Sequence, residues 1–287
     1  SVNKIVKILL DKNFSRKDCL ISIGGGITGD VCGFSASIFK RGLTFINVPT
    51  TLLAQVDSSI GGKTGINTIH GKNLVGSFYQ PKIVISDTIF LHSLPKREIL
   101  CGYGEILKHS LISKPNFFNF LKKNFLKIIN LETPFIEKSI YESCKIKRSI
   151  VEKDEKENYL RKSLNFGHTF AHAYEATKGY NQKLNHGEAV LLGMSTALKF
   201  SKKDKIIKHD KFSLINEHFE KSNLPNNLKN YFSTKDINKI LSFMIKDKKN
   251  DSNQINLILL KDIGKTLINK KYNKLKIKSF LKNELIN

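Results

Sequence analysis

The sequence predicts two domains: an α/β domain over residues 1–92, built on a parallel sheet, and a mostly α-helical domain over residues 93–287. Three observations predict this. In the first ninety or so residues, short apolar runs alternate with a stretch of helical period. One of those runs ends directly in Gly24-Gly25-Gly26. After Pro95 the apolar period becomes that of helices, with few alternating β-branched positions. Strands separated by helices need crossover connections, and crossovers give a parallel sheet.

Taken in order, Leu20-Ile21-Ser22-Ile23 is a short apolar run closed by the glycines, which reads as a strand and its turn. Asp30 to Phe39 carries helical spacing. Thr44-Phe45-Ile46-Asn47-Val48 is a second strand, stopped by Pro49, and Lys82-Ile83-Val84-Ile85-Ser86 is a third. Beyond Pro95 the spacing predicts helices over Asn116–Ile129, Pro134–Lys153, Glu188–Lys202 and Lys235–Lys246, with a short strand at Ile255–Leu260. There is no internal repeat and no low-complexity linker.

The chain has 287 residues, 40% of them hydrophobic, which is enough to bury a substantial core. The net charge of +23 suits a nucleic-acid partner or an anionic substrate. The lysines are spread, however, through Lys202, Lys203, Lys205 and Lys208 and the tail residues Lys270, Lys271, Lys274 and Lys276. They form no single stripe interleaved with aromatics. Trp is absent while Lys, Ile, Asn and Phe abound, as an AT-rich coding bias would produce. The charge is therefore read as compositional drift without a nucleic-acid partner, leaving a few cations for an anionic substrate. Cys19, Cys32, Cys101 and Cys144 form no CxxC or close pair, so they read as reduced cytosolic thiols and not as a disulfide frame or a zinc-thiolate site. Ser1 to Leu10 lacks the order of a signal peptide, and no apolar run approaches the ~20 residues of a membrane span. The expected location is cytoplasmic.

Gly24, Gly26 and Gly29 fit G-x-G-x-x-G after a strand and before a helix, the context in which glycines let a backbone approach a pyrophosphate. A plain strand-to-helix turn is the alternative. The next strand ends in Val48-Pro49-Thr50-Thr51 and offers no carboxylate to a ribose, so the turn belongs to an α/β nucleotide fold other than the ordinary Rossmann unit. Gly61-Gly62-Lys63-Thr64 looks like the end of a P-loop, but the motif's first glycine would fall on Asp57, whose charge would oppose phosphates; an NTPase is excluded. The stretch from Asp57 to Gly65, with Lys72-Asn73 following, is dense in small and polar residues. It reads as a ligand-lining loop, or else as a solvated surface loop.

His168 and His172 stand four apart and share a helix face with Asn165 and Glu175. A metalloprotease helix would need Glu at 169, which is Thr169. His186 precedes another apolar helix, and Glu105 lies in Gly102-Tyr103-Gly104-Glu105. One Glu with two His is a common ligand set for a catalytic metal with open positions. Spacing leaves open which of the three histidines bind.

Together these strings resemble the 3-dehydroquinate synthase family of sugar phosphate cyclases. The resemblance rests on Ile23-Gly24-Gly25-Gly26-Ile27-Thr28-Gly29-Asp30, Arg41-Gly42, Pro49 through Thr64, Gly71-Lys72-Asn73, Glu105-Ile106-Leu107-Lys108, Arg161 through His172, and His186-Gly187-Glu188-Ala189-Val190. They follow the family's order and spacing over essentially the whole chain. Gly104 stands where members usually have Ala, and Asn185 belongs to a slightly longer loop. Members begin several dozen residues earlier, with strands and a helix that help to bind the adenosine end of NAD, and this sequence does not contain those residues.

The resemblance implies a Rossmann-like N-terminal domain, here incomplete, a helical C-terminal domain, an active site in the cleft between them, and a homodimer. It implies Glu105, His168 and His186 as ligands of Zn²⁺ or Co²⁺. It implies NAD contacts from Gly24, Gly25, Gly26, Ile27, Thr28, Gly29, Asp30, Thr50, Thr51, Asp57, Ser58, Lys63, Lys72, Phe90, Leu91, His92 and Ser93. The substrate, 3-deoxy-D-arabino-heptulosonate 7-phosphate, would meet Arg41 (from across the dimer), Lys63, Asn73, Lys108, Lys147, Arg161, Asn165, His172 and a late lysine, Lys248 or Lys249. His172, Lys63, Asn165 and Glu157 would serve the chemistry: transient oxidation by NAD, phosphate elimination, re-reduction and an intramolecular aldol closure to 3-dehydroquinate. The rival expectations are a related cyclase of the deoxy-inosose or valiolone type, a metal-dependent polyol dehydrogenase, and a basic nucleic-acid-binding protein. Arg41, Lys147, Arg161 and Asn165 favour the dehydroquinate branch.

Overall fold

The computed structural model describes residues 1–68, 71–180, 183–246 and 254–286, so Lys248 and Lys249 lie outside the described residues. The chain gathers into two compact units, Ser1–Tyr103 with Lys127–Val151, and Gly104–Leu126 with Glu152–Asn287. In chain order the elements begin with α1 (Val2–Asp11), β1 (Cys19–Gly24), α2 (Gly26–Ile38), β2 (Thr44–Pro49), β3 (Lys63–Thr68), β4 (Gly71–Phe78) and β5 (Ile83–Val84). There follow α3 (Lys96–Ser113), α4 (Pro115–Ile129), α5 (Phe135–Lys153), α6 (His168–Thr177), α7 (His186–Lys203), α8 (His209–Lys221) and α9 (Ile237–Lys246). The chain closes with β6 (Gln254–Asp262), β7 (Lys265–Asn273) and α10 (Lys274–Ile286).

The first unit holds a parallel sheet of order β1-β2-β5, with Cys19 opposite Thr44 and Ile46 opposite Ile83. α2 is the crossover. Leu9, Ala36, Phe39, Leu43 and Phe45 form a buried cluster, joined by Ile5, Val6, Phe14 and Leu20. Burying each large apolar side chain contributes about 1.5–3 kcal/mol, and this cluster is what fixes α1 and α2 to the sheet. β5 is shorter than the five residues expected. Its pairing is extended by Lys82 N–H to the Phe45 carbonyl at 2.7 Å and Ile85 N–H to the Asn47 carbonyl at 2.9 Å. It stops because the Asp87 carboxylate then accepts Ile89 N–H at 2.9 Å and starts a helical turn.

The expected ligand-lining loop is irregular over 57–62, where it leaves a π-helical turn, but its end from Lys63 and the following Lys72-Asn73 belong to a hairpin. β3 and β4 pair antiparallel, Lys63 opposite Phe78. Glycine lowers strand propensity and disguised this stretch. Its tertiary use is close approach: a Cβ on Gly76 would sit 2.0 Å from the Thr64 carbonyl oxygen, and one on Gly33 of α2 would sit 2.6 Å from Thr64 Cγ2.

In the second unit α6 and α7 pack where Gly193 meets Gly167; a Cβ on Gly193 would lie 2.4 Å from the Gly167 carbonyl oxygen. α7 buries Ala189, Val190, Leu191, Leu192, Met194, Ala197 and Leu198. The expected helices are present as α4, α5, α7 and α9, with ends shifted by a few residues. The strand expected at Ile255–Leu260 has an unforeseen antiparallel partner, β7, reached through Gly264 at φ 84°. Lys265, Lys270 and Lys271 on an exposed face hid it from the apolar pattern. Among the described residues no helix is long and apolar enough to cross a membrane.

Candidate functional site

In the first unit the glycine turn is a crowded place. β1 ends at Gly24 and α2 starts at Gly26, with Gly25 as an N-cap that offers no side-chain cap. The first amides of a helix have no intrahelical acceptor, so such a start favours an anion. A Cβ on Gly24 would lie 2.7 Å from Thr28 Oγ1, one on Gly25 3.3 Å from Thr51 Cγ2, and one on Gly26 2.9 Å from Ser58 Oγ. Thr50 N–H donates to the Gly24 carbonyl at 2.9 Å. The structure therefore brings Gly24, Gly25, Gly26, Thr28, Thr50, Thr51 and Ser58 together around one helix start, an arrangement that fits a bound dinucleotide's phosphates.

Asp30 follows one turn later. Burial pushes its carboxyl up to about 6, with repulsion from Asp57 adding and Lys147 opposing. Lys147 Nζ donates to Asp57 Oδ1 and to the Asp57 carbonyl, both at 2.6 Å. The lysine expected at the substrate is thus engaged with a residue expected at the cofactor. Lys63 opens β3 and is exposed, as is Arg41, whose backbone is left-handed at φ 64°. Phe90, Leu91, His92 and Ser93 lie on a short 3-10 turn; Leu91 points into the core, leaving its backbone for any ligand. Lys72 and Asn73 are placed on β4 by their backbone, and their side chains are outside the described part.

The second unit holds the metal candidates. α3 supplies Glu105 and Lys108, one turn apart and both buried, and they form an ion pair. α6 begins at His168 because Gly167 adopts φ 80°, where a Cβ would also strike Met194 Cγ at 2.7 Å. α7 begins at His186 because Asn185 and Glu188 form a reciprocal capping box: Glu188 N–H donates to Asn185 Oδ1 at 3.0 Å and Asn185 N–H to Glu188 Oε2 at 3.1 Å. Two helix starts and one helix middle thereby converge. Ligand atoms of Glu105, His168 and His186 all lie within 4.8 Å of one another, with His168 Nε2 3.5 Å from Glu105 Oε1.

These residues fit a divalent ion. Glu105 is buried and Lys108 pairs with its Oε2, while its Oε1 accepts no hydrogen bond of good geometry and lies 3.5 Å from His168 Nε2, the side on which an ion would meet it. His168 Nδ1 faces the Phe166 carbonyl at 3.3 Å and His186 Nδ1 faces Glu175 Oε2 at 3.1 Å. With each Nδ1–H donating, Nε2 is the basic nitrogen of both rings. The His172 ring centroid lies 5.4 Å from that of His168 and 6.4 Å from that of His186. It stands beside these three candidate ligands, outside the set that converges.

Asn165 Nδ2 donates to Glu157 Oε1, and Glu157 is held left-handed at φ 60°. The loop that carries Glu157 and Arg161 is gathered by Asp154, which accepts N–H groups of Asn158 and Tyr159 at 2.8 Å and of Arg161 at 2.9 Å. The Arg161 and Tyr159 amides lead in holding the Asp154 carboxyl below the usual range. Sequence reasoning assigned no role to Asp154 or Glu175, nor to His109, which is buried one turn beyond Glu105. The i, i+4 step from Glu105 to His109 was the available signal for the last; nothing in the sequence flagged Asp154.

Comparisons with known proteins give the family and the fold. A family profile described as 3-dehydroquinate synthase N-terminal matches residues 1–101, and one described as 3-dehydroquinate synthase C-terminal matches residues 102–250. The chain is 62% identical over 285 residues to a 3-dehydroquinate synthase of Pelagibacter ubique, covering 99% of this chain and 77% of that one. A crystal structure of 2-deoxy-scyllo-inosose synthase complexed with carbaglucose-6-phosphate, NAD⁺ and Co²⁺ is similar with a TM-score of 0.88 at 28% identity, over 98% of this chain and 78% of that one. The 2-epi-5-epi-valiolone synthase of Streptomyces hygroscopicus, with NAD⁺ and Zn²⁺ bound, shares the fold with a TM-score of 0.87 at 22% identity, over 99% of this chain and 78% of that one.

Proposed function

The chain belongs to the 3-dehydroquinate synthase family, which turns 3-deoxy-D-arabino-heptulosonate 7-phosphate into 3-dehydroquinate and phosphate, and we propose that it does so as an NAD- and divalent-metal-dependent lyase. The observation that carries this reading is the convergence of Glu105, His168 and His186 within 4.8 Å. A metal held there supplies Lewis acidity that makes a substrate hydroxyl ionisable near neutral pH. NAD supplies a reversible hydride acceptor, regenerated in each turnover.

The protein's own residues then do the following. The glycine turn and the start of α2 hold the cofactor's phosphates with backbone amides, supported by Thr51 and Ser58 at the same spot. Arg161 and Lys108 supply cations to a substrate that carries a carboxylate and a phosphate, and Arg41, Lys63 and Lys147 are assigned the same task. Glu157 orients Asn165 by accepting its amide hydrogen bond, which fixes one hydrogen-bonding group toward the substrate. His172 moves a proton at a ring nitrogen, next to the ligand histidines and not bound to the ion. Most of the acceleration then comes from positioning and electrostatics. The enzyme works in the cytoplasm as a homodimer.

The test is phosphate release from the heptulosonate phosphate, with and without NAD and a chelator. Release is expected to need NAD, to stop with chelator, to leave no net NADH, and to be abolished by Glu105→Gln. Chelator-resistant release would remove the metal from the mechanism, and accumulating NADH would make the protein a polyol dehydrogenase.

A further inference from the structure

We propose that Glu175 is a positioning residue of the metal centre: it fixes the tautomer and raises the donor strength of His186. The inference rests on reading Glu105, His168 and His186 as metal ligands. Glu175 is buried, 4% exposed, and its Oε2 lies 3.1 Å from His186 Nδ1. It sits on α6 at the position seven residues after His168 and three after His172, so one helical stripe carries a ligand, the proton-transfer histidine and this carboxylate. A buried carboxylate is costly unless it is paired or accepts strong hydrogen bonds. An imidazole N–H is such a donor, and the bond leaves Nε2 as the nitrogen that meets the ion.

The two ligand histidines are held differently. His168 Nδ1 faces a neutral backbone carbonyl, that of Phe166, at 3.3 Å. A carbonyl selects the tautomer and little more. A carboxylate also pushes electron density onto the ring and adds negative charge near a dication. Lys108, already ion-paired with Glu105, brings a positive charge to the same centre, and the charge of Glu175 offsets it. His186, the more exposed of the two rings, is therefore the ligand given the stronger support.

The experiment measures Zn²⁺ affinity of the full chain by competition with a chromophoric chelator, and the visible absorption of the Co²⁺ form. Wild type, Glu105→Gln, Glu175→Gln and Glu175→Ala are compared at a temperature where circular dichroism shows each folded. Glu175→Ala is expected to weaken Zn²⁺ binding about 10–100-fold and to shift the Co²⁺ bands. Glu175→Gln keeps an acceptor but no charge, and is expected to lose less. If Glu175→Ala melts earlier but binds Zn²⁺ as wild type does, Glu175 is merely structural and the inference fails. Should Glu175→Ala not fold, Glu175→Gln with wild-type affinity and spectrum overturns it equally. If Glu105→Gln itself binds Zn²⁺ as tightly as wild type, the assignment of the metal centre fails, a result distinct from the failure of Glu175 alone.

Discussion

Single side chains here carry charge in places where charge is expensive. Asp30 is the measurable case. Its carboxyl is pushed up to about 6 by burial, then by Asp57, against the relief from Lys147. A folded value above the ordinary 3.8 means that the folded state holds the proton more tightly than the unfolded chain. Ionising Asp30 therefore costs nothing extra below pH 4 and its full penalty above about pH 6. Asp30→Asn is expected to melt at the same temperature as wild type near pH 4 and at a higher temperature above pH 6.5, with the gap opening between. Thermal melting of both proteins across that range checks it; a gap independent of pH would mean that Asp30 is not a buried titrating group. Removing Lys147 takes away the opposing charge, so the same transition is expected to move to higher pH.

At the scale of elements, the second unit's site is an assembly of helix starts. Gly167 and the Asn185–Glu188 box decide where α6 and α7 begin, and so where His168 and His186 stand. The segment between α5 and α6 holds a 3-10 helix, Leu160–Asn165, preceded by turns. One carboxylate, Asp154, accepts three backbone N–H groups and gives that segment its shape. Asp154→Ala is expected to lower kcat/KM between about ten- and a hundredfold, since small displacements of Glu157 and Arg161 are enough to spoil alignment. Asp154→Asn retains an acceptor and is expected to recover part of that loss. Steady-state kinetics with circular dichroism as the folding control decides. Equal activity in Asp154→Ala and wild type would show that the loop keeps its shape without this residue.

For the whole molecule the consequence is linkage between metal and stability. An ion that binds the folded chain at a thousandfold excess over its Kd stabilises by about 4 kcal/mol. In a chain of this size each kcal/mol moves Tm by roughly 2–4 °C. Adding chelator is expected to lower the Tm of the wild type by several degrees and to leave Glu105→Gln unmoved. Differential scanning calorimetry reads both, and an equal drop in the two proteins would assign the effect to something other than this site.

The sequence by itself determined the fold class, the positions of the parallel strands and of α2, α4, α5, α7 and α9, and the residue types at the site, but not the extent of α3 or α6. Those signals are local: a strand run into glycines, a helical period, an i, i+4 histidine pair. They depend only on neighbours along the chain. What the chain could not state locally, tertiary packing decided. Gly65 read as loop, and is a strand residue because its backbone must touch that of Gly76 there. β7 is a strand because β6 is beside it, despite its lysines. By spacing alone three histidines were equivalent candidates, with the family resemblance pointing to His168 and His186, and the crossing of α6 with α7 at Gly193 put these two with Glu105 while leaving His172 alongside. Choosing among them on physical grounds takes distances between residues far apart in the chain, which local spacing does not set and packing does.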